Sequence, residues 1–291
     1  MEIKVGLQLF SIKEAMHENP IGAIRKAADC GYRYLEAANH NALEDTGIGF
    51  GVSAKELKQT LDATGTKIVS THIYPFDKEK FKAILEYNAE IDNPNIIYPM
   101  GRFQDRDDVL RCCEQLNEYG EMTNAYQMRF SYHNHANEFM TIDRQPIMDL
   151  IMDNTDPDKV GFELDTFWAM RGGMDPIEYM RRFRDRIGLL HQKDMSKTSP
   201  SPVNVFRDLE REVGPDRMAA FRYCKQRVDS ADFTEIGTGI MDIQSIINAA
   251  NELGTISYMF LEQDDTQMPN ELLSIQKSME EFRKFHGISW E

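Results

Sequence analysis

The chain has 291 residues, 41% hydrophobic and 10% aromatic, with 48 acidic against 33 basic side chains and a formal charge of −15. That length can bury a large core, as one big α/β domain or two smaller ones. Acidity spread along the chain without a basic run excludes nucleic acid as an expected partner. With no apolar run of membrane-spanning length and no basic-then-apolar leader, the expectation is no membrane association and a cytoplasmic location.

Short apolar runs alternate with helical patterns from end to end. "IKVGLQL" (3–9) reads as a buried strand, and residues 19–31 as a helix stopped at Gly31. "YRYLEA" is the second strand. A helix over 53–65 follows, with Ser53 as N-cap, Glu56 completing a capping box and Gly65 as C-cap. "TKIVSTH" (66–72) and "NIIYP" (95–99) are the third and fourth strands, each followed by a helix, over 78–92 and roughly 104–125. That second helix carries the adjacent pair Cys112 and Cys113. Without CxxC spacing, these and Cys30 and Cys224 read as small hydrophobes rather than ligands. "MRFSYH" and "KVGFELD" (159–165) are strands five and six, separated by a short helix at "QPIMDLIMDN". Asp175 caps the next helix, with Pro176 at its first position. "IGLLHQKD" (187–194) is the seventh strand, and "ISYMFLEQD" (256–264) the eighth, between helices over 241–254 and roughly 270–286.

Eight apolar strands alternating with helices, in a chain somewhat above ~250 residues, predict a single closed (β/α)₈ barrel over 1–291. No GxGxxG follows the first strand, which argues against a dinucleotide-binding sheet. Residues 195–240 interrupt the rhythm. They read as a long insertion with a charged helical stretch over roughly 204–228, expected to be a lid, a surface excursion or an oligomer contact.

In such a barrel the site lies at the C-terminal ends of the strands. Those ends carry Gln8, Glu36, His72, Tyr98, His133 with His135 and Glu138, Asp165, His191 with Lys193 and Asp194, and Glu262 with Asp264. Carboxylates with imidazoles and no paired thiols suit a divalent ion: Mn²⁺ or Mg²⁺ first, Co²⁺ or Zn²⁺ as alternatives. Such an ion polarises a carbonyl and stabilises an enediolate when the neighbouring proton leaves. Taken singly, Glu36 also reads as a loop anchor, His72 as a packed side chain, and Asp194 and Asp264 as caps or supporting residues. Asp165, His191 and Glu262 stand apart, because each directly follows an apolar strand.

The motifs "GLQLFSIKEAM", "YHNHANEF", "GFELDTFWAMRGGMDPIEYM", "LLHQKD" and "YMFLEQD", in this order over almost the whole chain, resemble the xylose isomerase-like superfamily. That superfamily includes sugar phosphate isomerases and epimerases, ketose 3-epimerases and inosose dehydratases. The resemblance implies a metal, often Mn²⁺, on Asp165, His191, Glu262 and one more carboxylate, with Glu262 as one of two acid/base groups. The fourth position departs from the pattern, since His133 stands where epimerases carry a glutamate. Two assignments are open: Glu138 swings back as the fourth ligand and second acid/base group, or His133 ligates directly and Glu138 supports it. The first is preferred because a carboxylate suits Mn²⁺ better than a second imidazole. A second departure is Trp168, where ketose 3-epimerases carry a histidine.

The expected function is therefore proton transfer next to the carbonyl of a sugar or keto-sugar. Glu138 and Glu262 act as acid and base, His133 shuttles protons, and Lys193 holds a substrate oxygen. His72, His135, Trp168, Gln8 and Glu36 line the substrate. The alternatives are a lyase that expels water from a keto-inositol or an aglycone from a 3-keto-glycoside, with His133 or His135 as acid, and a barrel without catalysis. A homo-oligomer is implied by the resemblance alone.

Overall fold

In the computed structural model, which describes residues 2–214 and 217–290, eight parallel strands run Ile3–Gln8 (β1), Tyr34–Asn39 (β2), Lys67–Ile73 (β3), Asn95–Tyr98 (β4), Arg129–His133 (β5), Val160–Asp165 (β6), Ile187–Gln192 (β7) and Tyr258–Leu261 (β8). Each pairs with the next, and β8 pairs with β1 through Lys4–Tyr258 to Leu7–Leu261, which closes the barrel. The strands are apolar on both faces because both are covered, by helices outside and by packed side chains inside.

The outer ring is Pro20–Asp29 (α1), Ala54–Thr64 (α2), Lys78–Glu90 (α3), Arg106–Asn124 (α4), Ile147–Asp153 (α5), Pro176–Arg182 (α6), Ile243–Leu253 (α7) and Glu271–Phe282 (α8). Local chemistry sets their ends. Ser53 accepts from the Glu56 N–H at 3.3 Å, and Gly65 closes α2 at a left-handed φ of 64°. Asp175 accepts from Ile177 and Glu178 ahead of Pro176 at the start of α6. Inside the barrel, Val69, Ile97, Leu189 and Phe260 form an apolar floor. Gly6 makes room for it, since a Cβ there would stand 2.5 Å from the Phe260 ring and 2.9 Å from the Tyr34 carbonyl oxygen.

The insertion after β7 is built differently from the single charged helix expected. Its start, Asp194–Met195, pairs antiparallel with Phe233–Thr234 near its end. Two short helices, Leu209–Glu212 and Arg217–Lys225, lie between, and residues 215–216 of the expected helical stretch fall outside the described residues. The insertion has its own apolar core, in which Met195, Val205, Cys224 and Phe233 pack on Phe167, Trp168 and Ala136 from the barrel. Two polar clamps hold it. Arg171, fully buried on the short helix Thr166–Arg171, pairs with Asp232 at 2.9 Å and donates to the Arg227 carbonyl at 2.8 Å. Asp194 accepts from the backbone N–H groups of Met195, Gly237, Gly239 and Met241 at 2.8–3.1 Å. Asp194 thus anchors the insertion. No described helix is long and apolar enough to cross a membrane.

Candidate metal centre at the barrel mouth

Strand pleating aims alternate residues into the barrel, so the last inward positions of neighbouring strands meet at its C-terminal end. Gln8, Glu36, His72, His133, Glu163 and His191 come together there, all at most 4% exposed. Gln8 Nε2 donates to Glu36 Oε2 at 2.8 Å, and the same oxygen bonds His191 Nε2. His72 Nε2 lies 2.7 Å from Glu163 Oε2, and His133 Nδ1 3.1 Å from it. The imidazoles of His72 and His191 stack at 5.0 Å with 9° between planes.

One level nearer the opening, Asp165, Lys193 and Glu262 form a second tier. Lys193 Nζ lies 2.6 Å from Asp165 Oδ2 and bonds Glu262 Oε2, while Glu262 Oε2 is also 2.8 Å from His191 Nδ1. Asn134 fixes the Asp165 backbone by accepting from its N–H at 3.0 Å, and Asp165 Oδ1 accepts from the Trp168 N–H at 2.8 Å. Asp264 stands 3.9 Å from Lys193, at the rim.

Among the described residues, two sets of potential ligand atoms each lie within 4.8 Å of one another. The first is His72, His133, Glu163 and His191, and the second His133, Asp165, His191 and Glu262. Glu138 joins neither set: its Oε1 takes the Tyr132 hydroxyl and its Oε2 the His135 N–H, both at 2.9 Å. The 3₁₀ turn Ala136–Phe139 holds it in that position, away from the place favoured for it from the sequence. Tyr98 stacks on Phe76 and Tyr132 rather than facing the cluster. Glu163, which the sequence reading passed over, sits at the heart of the first set. Its signal was the period of two in "FELD", which puts Glu163 on the same face as Asp165.

The charges are unequal in sign. Burial alone would raise Glu36, but His72 and His191 outweigh it and bring its carboxyl down to about 2. Burial and the adjacent Glu36 carboxylate hold Glu163 well above the usual carboxylate range. Burial would lower His191, yet Glu163, Glu36 and Glu262 raise it well above the normal imidazole value. Burial and the neighbouring imidazoles push His133 well down, and burial with the Lys193 charge lowers His135 to about 3. Burial would raise Glu262, but Lys193 and His191 pull it well below its ordinary value. Burial pushes Asp264 up to about 7 against the pull of Lys193.

This environment fits a divalent cation. Four buried carboxyl groups (Glu36, Glu163, Asp165 and Glu262) crowd around Lys193 and the raised His191, an arrangement that is costly to bury without a shared cation. Glu36 Oε1 and Glu163 Oε1 are buried without a hydrogen-bond partner. The oxygen and nitrogen donors, without thiolates, suit Mn²⁺, Mg²⁺, Co²⁺ or Zn²⁺ alike.

A closed parallel barrel with acids and imidazoles gathered at the C-terminal strand ends defines a TIM barrel whose mouth could hold a metal ion. The chain belongs to the xylose isomerase-like TIM barrel family, whose family model matches residues 24–285. It is 24% identical over 204 residues to the inosose dehydratase of Lacticaseibacillus casei, across 70% of this chain and 59% of that protein's length. A sugar phosphate isomerase/epimerase from Parabacteroides distasonis superposes with a TM-score of 0.77 at 24% identity, over 99% of this chain and 96% of its own. The IOLI protein, solved with a bound zinc atom, superposes with a TM-score of 0.68 at 15% identity over 96% of each chain. At these identities the two superpositions establish the fold.

Proposed function

We propose that this protein is a metal-dependent lyase acting on a small keto-sugar or keto-cyclitol. It would remove the proton next to the carbonyl and expel an oxygen substituent one carbon further on. His133, Asp165, His191 and Glu262 are the residues that would hold the ion. When bound, a divalent cation there supplies polarisation of the substrate carbonyl, which acidifies the neighbouring C–H.

The observation that carries the reading is the placement of the carboxylates. Inverting a carbon by proton removal and return needs a base on each face. Here Glu262 stands at the mouth with Asp165 tied to Lys193 beside it and to the Trp168 N–H, while Glu138, the other candidate base, has both oxygens engaged by Tyr132 and His135. A single carboxylate suffices for elimination from one face. Glu262 accepts the proton from carbon, the C–H pair becomes the C=C bond, the C–O bond breaks, and Glu262 returns its proton to the departing oxygen. Lys193, between Asp165 and Glu262, holds the substrate oxygen and keeps Glu262 ionised beforehand. His135, neutral at pH 7, offers a ring hydrogen bond to the leaving oxygen. Similarity to inosose dehydratases supports the same class.

The test is metal analysis of the purified protein, then NMR in D₂O with inososes and 3-keto-glycosides. Release of water or alcohol with formation of an enone supports elimination. Deuterium exchange at the α-carbon without loss of a substituent would instead establish an isomerase or epimerase.

A further inference from the structure

Beside the centre lies a cavity of about 180 Å³ that neither the barrel nor the metal site requires. Its floor is His135 and Trp168, and its walls are Val205, Phe221, Cys224 and Val228 from the insertion, with Asn137 and Lys225 also lining it. The floor backs onto the centre: the His135 ring is 5.1 Å from that of His133, and Lys193 Nζ is 5.9 Å from the Trp168 ring. Trp168 is only 8% exposed, yet its Nε1–H has no acceptor. A buried donor without a partner is costly, so an incoming acceptor atom there gains more than one at a solvated site.

From these features we infer that the cavity is the leaving-group subsite, and that the substrate is a keto-glycoside carrying an apolar ring. The inference rests on the elimination reading and names its substrate class. Whole-ligand sites run to roughly 300–1,000 Å³, so this volume fits one ring of a larger molecule. The mostly aliphatic and aromatic walls favour an apolar occupant, whereas a free cyclitol, hydroxylated all round, would leave most of its hydroxyls unmet there. Trp168 brings to this floor both an aromatic surface for the ring and a hydrogen-bond donor without a partner. The walls are preformed, since the Arg171–Asp232 pair and the Asp194 anchor fix the insertion at both ends. The step is the elimination already described, with the aryl alcohol as the departing group and its oxygen taking the proton from Glu262.

Binding and turnover test this separately. Phenyl β-glucoside lacks the keto group and cannot eliminate, so saturation-transfer NMR with it reads the subsite alone, methyl β-glucoside being the control. The phenyl compound is expected to bind at least tenfold tighter, with saturation strongest on the aryl protons. Val228→Phe, which fills the cavity, and Phe221→Ala, which removes a wall, should each erase that preference. On 3-keto substrates, the phenyl-to-methyl ratio of kcat/KM should fall at least tenfold in either variant. Equal binding of both glucosides in the wild type overturns the subsite, even if inososes lose water normally. Aryl binding that the variants abolish, without turnover of any keto-sugar, keeps the subsite and removes the elimination reading instead.

Discussion

Lys193 and Glu262 form a contact ion pair at the barrel mouth, with Lys193 fully buried and Asp165 at 2.6 Å completing a bridge across two strand ends. A buried ammonium is tolerated because three carboxyl groups face it: Asp165, Asp264 and Glu262 raise Lys193 above its ordinary value although burial alone would lower it. Lys193→Met should leave both carboxylates without their cation. The expected loss is ~10²–10³ in kcat, the scale for removing one preorganised charge-stabilising donor. A fall in KM with unchanged kcat would show that the lysine serves neither substrate nor base.

The two assignments for the fourth ligand make opposite forecasts. If His133 ligates, His133→Ala purifies with less than one metal per chain, while Glu138→Gln retains the full complement and loses stability through its Tyr132 and His135 bonds. Elemental analysis of both variants, with thermal melts, decides between them. Metal lost from Glu138→Gln alone would restore the glutamate assignment.

Glu163 offers a different test. Its carboxyl bridges His72 and His133 from below and is held well above the usual carboxylate range by burial and by Glu36. Glu163→Gln keeps the shape and the neutral state, so the fold should persist with nearly wild-type melting. Glu163→Ala opens a hole under three imidazoles and should cost ~2–4 kcal/mol, measured by urea unfolding.

Acid should loosen the insertion before the barrel. Burial would raise Asp232, but Ser199, the Asp229 N–H and Arg171 lower it below the ordinary aspartate value. A group depressed in the folded state adds stability that is complete above its unfolded pKa, ~3.9, and is lost as pH falls through the folded one. Wild-type protein should therefore lose stability between about pH 5 and pH 3 that Asp232→Asn never had. Urea midpoints for both at pH 6, 4 and 3 check it: a constant gap across that range would count against the pair.

The barrel floor can be probed from the strand with no side chain. Gly6→Ala pushes a methyl group against Phe260 and the Tyr34 carbonyl. Overpacking of this kind costs ~1–3 kcal/mol. Gly6→Ala combined with Phe260→Leu should recover part of it, and failure to do so would mean that backbone crowding dominates.

The strand–helix units were legible because each strand is a short apolar run and each helix carries its own stop or cap, as at Ser53, Gly65 and Asp175. That Asp165, His191 and Glu262 lie together follows from where strands end. Glu163 was hidden for the opposite reason: it lies inside a strand, and only the alternation of faces reveals that it shares the interior with Asp165. The direction of the Glu138 carboxylate was not legible, because proximity in sequence says nothing of a 3₁₀ turn that aims it back at Tyr132. The course of the insertion was likewise illegible. Its anchor, Asp194, binds backbone N–H groups more than forty residues ahead, and no local pattern reports such a partner.

That anchor has a consequence for how such a protein diversifies. Asp194 and the Arg171–Asp232 pair join the two feet of the insertion to the barrel and to each other. Everything between the feet can then lengthen, shorten or change composition while strand register and acid–imidazole cluster stay as they are. Chemistry and substrate choice are thereby carried by separately exchangeable parts, and a segment transplanted between related barrels at these two feet should bring its preference with it.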